Sequence, residues 1–258
     1  MSGGERPRLV AFDLDDTLAP SKSRIDPRIG RLLADLAERV DVAIISGGTL
    51  TQFLAQVIDH LPPLSATARR RVHLLPTCGT QYYRLSPDAD GGIDTVYVTA
   101  LTADQRARAA TALENEARRL GLWEEETWGP VLEDRGSQVT FSALGQGAPV
   151  DAKSAWDPQG TKKEALRAAV AEMLPDLEAR SGGSTSIDVT ARGIDKAYGM
   201  RRLADETGIR FDEMLFVGDR LDPGGNDFPV IALGVPCRPV EGWRDTAHLL
   251  DELIPTLT

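Results

Sequence analysis

Nowhere in its 258 residues does the chain carry an apolar run of about 18 residues, so no membrane-spanning helix is expected. Positive charge is scarce: 29 Lys and Arg face 39 Asp and Glu, giving a net charge of −10. A general affinity for nucleic acid or anionic membrane needs a basic face, so neither partner is expected. A local cationic pocket for a phosphorylated small molecule is compatible with the same balance. The two cysteines, Cys78 and Cys237, form no metal or redox spacing, and two thiols rather than a disulfide are expected. The opening Met-Ser-Gly-Gly-Glu-Arg-Pro-Arg lacks the apolar stretch of a signal peptide, and a cytoplasmic location is the expectation. His60, His73 and His248 lie far apart without ligand spacing and read as ordinary surface or core residues. No Gly-x-Gly-x-x-Gly follows a strand, which argues against a dinucleotide-binding oxidoreductase. Internal repeats and low-complexity segments are missing too.

What is present supports a real core: 41% hydrophobic residues, with length for one large domain or two smaller ones. Strand and helix signals alternate through the first 60 residues. A strand is predicted over 8–13, and a helix from the Asp26-Pro27 N-cap to about Arg39, with Ile29, Leu32, Leu33 and Leu36 at helical spacing. A second strand covers 41–45 and ends in Ser46-Gly47-Gly48-Thr49 before a helix toward Asp59. The theme returns at the other end: a helix after Asp195, strands over 214–217 and 230–233, and a helix from about Glu241. The fold class is therefore α/β, with a Rossmann-like parallel sheet covered on both faces. The middle reads differently. Strands over 80–85 and 93–98 flank Asp90-Gly91-Gly92, followed by a helix over 102–120, a strand over 137–144, a helix over 158–174 and a strand over 184–189. An inserted α+β module is expected over 84–188, with 1–83 and 189–258 forming the parallel-sheet domain. Trp123 and Trp128 flank Glu124-Glu125-Glu126, and packing is favoured over a substrate role for both.

The chemistry concentrates where strands end. Asp13-Leu14-Asp15-Asp16-Thr17 closes the first strand, and such a carboxylate cluster repels itself unless a cation or protons neutralise it. By itself it is equally a solvated turn, since Asp and Thr favour both. Ser46 and the N–H groups of the Gly47 turn follow the second strand, where they suit a phosphate oxygen. Lys196 opens the helix after Asp195, and the loop Gly218-Asp219-Arg220-Leu221-Asp222-Pro223-Gly224-Gly225-Asn226-Asp227 follows the strand over 214–217. In an open α/β sheet ligands bind at this carboxyl edge, which would bring Asp219 and Asp227 to Asp13. A cation and Lys196 would offset the charge of a phosphate approaching a carboxylate nucleophile.

In order and spacing, the Asp13–Thr17 run, Ser46, Lys196 and the Asp219 loop resemble the four motifs of the haloacid dehalogenase superfamily. The insertion resembles its type C2 cap, of subfamily IIB. Within the superfamily the chain is most similar to the eukaryotic-type phosphomannomutases and related bacterial phosphatases. That likeness is carried by Thr17-Leu18-Ala19-Pro20-Ser21, the lengthened Asp219 loop and Gly182-Gly183-Ser184-Thr185-Ser186-Ile187-Asp188-Val189. The resemblance implies Asp13 as nucleophile, Asp15 as general acid/base and backbone ligand of Mg²⁺, and Ser46 and Lys196 holding the phosphoryl group. Asp219 would be a metal ligand, and Asp227 a ligand or a neighbour of one. In the cap it implies Arg135, Ser186 and Asp188 as sugar-phosphate contacts. Family members often pair through their caps, so a homodimer is among the expectations. Two departures stand out. Gln146 and Lys153 lie where the mutases place further arginines, and Lys lacks the bidentate fork of Arg. Asp16 stands where the mutases have Gly. The expected function is thus a Mg²⁺-dependent phosphatase of a sugar phosphate or similar metabolite. A hexose-phosphate mutase is the alternative, and a phospho-accepting signalling protein or a non-catalytic sugar-phosphate binder stand behind both.

Overall fold

The computed structural model describes residues 6–257. Its elements fall into two compact units, one running to Val98 and resuming at Asp195, the other spanning Thr99–Ile194.

In the first unit, β1 (Leu9–Phe12), α1 (Pro27–Ala37), β2 (Asp41–Ile45), α2 (Leu50–Gln56), α3 (Ala66–Arg70), β3 (Val72–Leu75), β4 (Gln81–Leu85) and β5 (Ile93–Val98) precede the break. The second unit follows with α4 (Ala103–Arg119), β6 (Leu132–Asp134), β7 (Gln138–Ser142), α5 (Val150–Trp156), α6 (Thr161–Met173), β8 (Leu177–Ser181) and β9 (Ser186–Ala191). The first unit then closes with α7 (Lys196–Thr207), β10 (Met214–Gly218), α8 (Phe228–Ile231), β11 (Cys237–Pro239) and α9 (Trp243–Leu253).

The first unit is a seven-stranded sheet in the order β11-β10-β1-β2-β3-β4-β5. Strands β11 to β3 are parallel, while β3, β4 and β5 pair antiparallel. Alternation along β1 supplies both faces: Val10 and Phe12 pack with α1 and α9, whereas Leu9 and Ala11 pack with α7. Helix α1 starts as its sequence dictates. The Asp26 carboxylate accepts from the Arg28 N–H at 2.8 Å, Pro27 fixes the first turn, and Ile29, Leu33, Leu36 and Ala37 are buried.

Two expectations are corrected. The hairpin β4–β5 belongs to the first unit, because β4 pairs with β3, so the boundary lies at Thr99 and Asp195 rather than at 84 and 188. Residues 230–233 are no strand: Pro229 sits in the first turn of α8, only Val230 of that helix is buried, and the edge strand comes later at β11. The second unit has an antiparallel sheet in the order β6-β7-β9-β8. Val139 and Phe141 of β7 and Ile187 and Val189 of β9 pack with Leu113 of α4 and Leu166 and Val170 of α6. Trp123 packs on Phe141 in this core, while Trp128 is exposed. Among the described residues, no helix is long and apolar enough to cross a membrane.

Helix α7 approaches the 3-10 turn Thr77–Gly79 until backbones touch. A methyl at Gly199 would collide with Ile45 and stand 2.8 Å from the Cys78 carbonyl, and one at Gly79 would meet the Gly199 Cα. The same turn is tied to the loop after β2, since the Cys78 N–H donates to the Ser46 carbonyl at 2.9 Å and the Thr77 N–H to Gly48 at 3.0 Å. Glycine at 199 thus sets how deep the start of α7 sits. Gly199→Ala is expected to lower stability by about 1–3 kcal/mol in urea unfolding, the cost of overpacking a filled interior. An unchanged midpoint would show that the helix can retreat without penalty.

Candidate active site

Four elements converge at the carboxyl edge of the parallel strands. Asp13 follows β1, Ser46 follows β2, Asp219 and Asp227 belong to the loop after β10, and Lys196 is the first residue of α7. Lys196 is buried, and its Nζ lies 2.6 Å from Asp13 Oδ1 and 2.5 Å from Asp227 Oδ1. A cation at a helix N-terminus meets the unfavourable end of the helix dipole, so this placement needs the two carboxylates. Asp195 caps the helix instead, accepting from the Tyr198 N–H at 2.8 Å. The loop is closed on itself: Asp227 Oδ2 accepts from the Arg220 N–H at 3.0 Å, and the Asp227 N–H donates back to the Arg220 carbonyl at 3.2 Å.

One carboxylate oxygen each of Asp13, Asp219 and Asp227 lie within 4.8 Å of one another. Burial holds the Asp13 carboxyl well above the usual carboxylate range; the Lys196 charge opposes this, and the charges of Asp227 and Asp219 add to it. Asp219 is raised by burial and then by Asp227. Burial alone would lower the Lys196 ammonium, but Asp13 and Asp227 outweigh it and hold the group above its ordinary value. One ammonium offsets one carboxylate, which leaves negative charge in excess. An all-oxygen set with surplus negative charge fits a hard divalent cation.

Of the residues singled out in sequence, Asp13, Lys196, Asp219 and Asp227 are brought together, and Ser46 and Gly47 follow the strand next to β1. The Ser46 hydroxyl accepts from the Gly48 N–H at 3.3 Å. The Asp15 carboxylate lies outside the cluster and accepts from the Lys22 N–H at 2.6 Å. Asp16 adopts φ 59°, a left-handed conformation that glycine takes without strain, and its carboxylate accepts from the Ser21 N–H at 3.1 Å. Arg135, Lys153, Ser186 and Asp188 belong to the second unit. There Arg135 pairs with Glu133 at 2.9 Å, and the buried Lys153 donates to the Gln146 carbonyl at 2.9 Å. A role for Thr17 went unread. Its hydroxyl donates to Asp219 Oδ1 at 3.2 Å, and its carbonyl accepts from the Thr246 hydroxyl of α9 at 2.7 Å. Only the side chain's place in the Asp13 run hinted at it. Cys78 and Cys237 are not joined in a disulfide, and burial pushes the Cys237 thiol up to about 11. His73 is buried beside the Tyr82 hydroxyl at 2.7 Å.

A sequence model of the family described as eukaryotic phosphomannomutase matches residues 128–255. The chain is 25% identical to a phosphomannomutase of Saccharomyces cerevisiae, over 96% of this chain and 95% of the relative. It is 25% identical to phosphomannomutase 1 of Homo sapiens, over 87% and 83%. Its fold is similar to the Plasmodium falciparum IMP-nucleotidase, with TM-score 0.73 and 15% identity over 98% of this chain and 72% of that one. A haloacid dehalogenase-like hydrolase from Bacteroides thetaiotaomicron superposes with TM-score 0.64 and 14% identity, over 96% and 100%.

The electrostatics dictate a pH signature. Asp13 and Asp219 have raised values, so the folded chain keeps protons that the unfolded chain releases near pH 4. Their contribution to the stability of the metal-free protein therefore falls as pH rises above that value. Thermal melts with Mg²⁺ as titrant should show a larger rise in Tm at pH 7.5 than at pH 5, because protons compete for the same oxygens. Equal shifts at both values would mean that these carboxylates do not share a cation.

Proposed function

We propose that the chain, a phosphomannomutase-like phosphoryl-transfer enzyme with the haloacid dehalogenase fold, isomerises a hexose phosphate through an aspartyl-phosphate on Asp13. The observation that carries the phosphoryl transfer is the buried Asp13–Lys196–Asp227 group with Asp219 beside it. The choice of hexose phosphate, in preference to the phosphatase expected from sequence, is supported by likeness to phosphomannomutases along nearly the whole chain.

In the first half-reaction an Asp13 oxygen attacks phosphorus and the bond to the sugar oxygen breaks. Asp15 gives its proton to that oxygen, which requires its carboxylate to leave the Lys22 N–H. In the second half, Asp15 takes the proton of an acceptor hydroxyl, whose oxygen attacks the aspartyl-phosphate and frees Asp13. When the acceptor is a hydroxyl of a hexose monophosphate, a hexose bisphosphate forms; turned end for end, it gives its other phosphoryl group back to Asp13 and leaves the isomer, whereas water as acceptor gives free phosphate. Lys196, the Ser46 hydroxyl and the Gly47 N–H would hold the phosphoryl oxygens. Asp13, Asp219 and the Asp15 carbonyl would hold Mg²⁺, with Asp227 as a further ligand or acting through Lys196. When bound, such a cation neutralises charge on the transferring group.

Hydrolysis is kept as a second reading by one observation: where the mutases have arginines, the chain has Gln146 and a Lys153 that is buried and engaged with the Gln146 carbonyl. Mannose 1-phosphate supplied with catalytic hexose 1,6-bisphosphate separates the two. The expected product is mannose 6-phosphate; stoichiometric free phosphate without isomer would replace the mutase by the phosphatase. Asp13→Asn should lower either activity at least about a thousandfold, as loss of a nucleophile does. Retained turnover would refute the nucleophile. Asp16→Gly, which places at φ 59° the residue that tolerates it, should raise the ratio of isomer to free phosphate. A ratio that does not move would leave Asp16 without influence on the acceptor.

A further inference from the structure

Thr77, Cys78 and Gly79 have φ values of 48, 54 and 83°, three left-handed residues in succession. Glycine takes that conformation freely, whereas a β-branched threonine is strained in it. Such a turn persists only where its surroundings over-determine it. The Thr77 and Thr80 hydroxyls lie 2.5 Å apart, and Thr80 Oγ1 donates to the Thr77 carbonyl at 3.0 Å. The Gly79 N–H donates to the Pro76 carbonyl at 3.0 Å. On one side the turn donates to the carbonyls of Ser46 and Gly48, and on the other it abuts Gly199 of α7.

A further hold comes from the hairpin. Tyr97 of β5 donates its hydroxyl to the Gly79 carbonyl at 2.7 Å. Burial pushes this hydroxyl up to about 12, so it remains a donor at neutral pH. The β4–β5 register shifts here: Tyr82 faces Tyr97 but Tyr83 faces Thr95, and the consecutive Val96 and Tyr97 both pack on the core that holds Met200 and Leu203 of α7. The buried Tyr82 ring meets Tyr97 edge-on, with 5.7 Å between centroids. From the helix, the Arg202 guanidinium stands 4.2 Å from the centre of the Tyr97 ring. Lys196, Gly199 and Arg202 follow one another at three-residue steps along α7. One side chain thus touches both the turn that holds the Ser46 loop and the helix that begins with Lys196.

We propose that Tyr97 is a positioning residue for phosphoryl transfer, whose hydroxyl and ring lock the strained turn against α7 and so fix the spacing of Ser46 and Lys196 around the phosphoryl group. The proposal rests on the roles given to Asp13, Ser46 and Lys196 above. Tyr97 acts through the turn and the helix rather than on the reacting atoms. A misplacement of about 1 Å in a catalytic group costs about a hundredfold, so loss of one anchoring hydroxyl is expected to cost about tenfold.

Calorimetric titration of the Mg²⁺-loaded protein with orthovanadate and with inorganic phosphate tests it. Bound vanadate takes the five-coordinate geometry of a transferring phosphoryl group and depends on close spacing, while tetrahedral phosphate tolerates a looser site. Tyr97→Phe keeps the ring and removes only the hydroxyl. It is expected to weaken vanadate binding about tenfold and phosphate binding less than about twofold. On p-nitrophenyl phosphate it should lower kcat about tenfold with KM within about twofold. A merely structural loss would lower the number of binding sites and leave both dissociation constants alone. Tyr83→Phe removes a hydroxyl of the same hairpin, bonded to Gln81 at 3.1 Å, and should change neither constant. Arg202→Met leaves the Tyr97 hydroxyl in place and should weaken vanadate about threefold, and Arg202→Lys should restore it. That pair carries the test should Tyr97→Phe fail to fold. Unaltered vanadate affinity in the folded Tyr97 and Arg202 variants, or an equal loss in Tyr83→Phe, would overturn the proposal alone. A Mg²⁺-loaded wild-type protein that binds no vanadate would overturn the reading of Asp13, Ser46 and Lys196, and this proposal with it.

Discussion

A single buried ammonium organises the first unit. Lys196 stands between Asp13 and Asp227, at 2.6 and 2.5 Å, in a place where an unpaired charge of either sign would be very costly. To put it there, the chain caps α7 with Asp195 and packs Gly199 onto the Cys78–Gly79 backbone. The same turn grips the loop that follows β2, so the ammonium, Ser46 and Asp13 share one frame. On the reading proposed above, a phosphate arriving here would meet groups already oriented, which is how electrostatic catalysis avoids reorganisation during the reaction. The surplus carboxylate charge is the complement of that design, since it is comfortable only with protons or a cation.

The second unit buries polar groups in another way. One face of its sheet is apolar and packs under α4 and α6; the other is lined with amides, hydroxyls and ion pairs. Burying these polar groups is tolerable because they are hydrogen-bonded to one another. The outcome is a face whose donors and acceptors are fixed in place.

Several of these features were legible in the sequence for physical reasons. Asp26-Pro27 marks a helix start because the carboxylate and the fixed φ both act locally, and β2 shows as a run of buried residues bounded by polar ones. The meeting of Asp219 and Asp227 with Asp13 followed from loops at the carboxyl edge of the sheet, and Lys196 joins them from the start of a helix. What stayed hidden depends on distant partners. The hairpin β4–β5 has the same local signals whichever sheet it joins, and only its pairing with β3 assigns it to the first unit. The apolar Val230–Leu233 run is too short for periodicity to separate strand from helix, and Pro229 decided it. Thr17 and Thr140 are ordinary threonines until Asp219, Thr246 and Asp188 arrive from far along the chain.

The order of strands has a consequence for how the molecule is made. Strand β1, which presents Asp13, lies between β2 and β10, with Leu9 opposite both Asp41 and Met214. During synthesis this strand therefore waits, with one edge unpaired, for a neighbour about two hundred residues downstream. The second unit meanwhile emerges as one continuous stretch with its own core, able to close on local contacts first. Lys196 and Asp227 both arrive after it. The reactive centre is thus among the last parts of the fold to be completed, and a nascent chain carries no working carboxylate cluster before then.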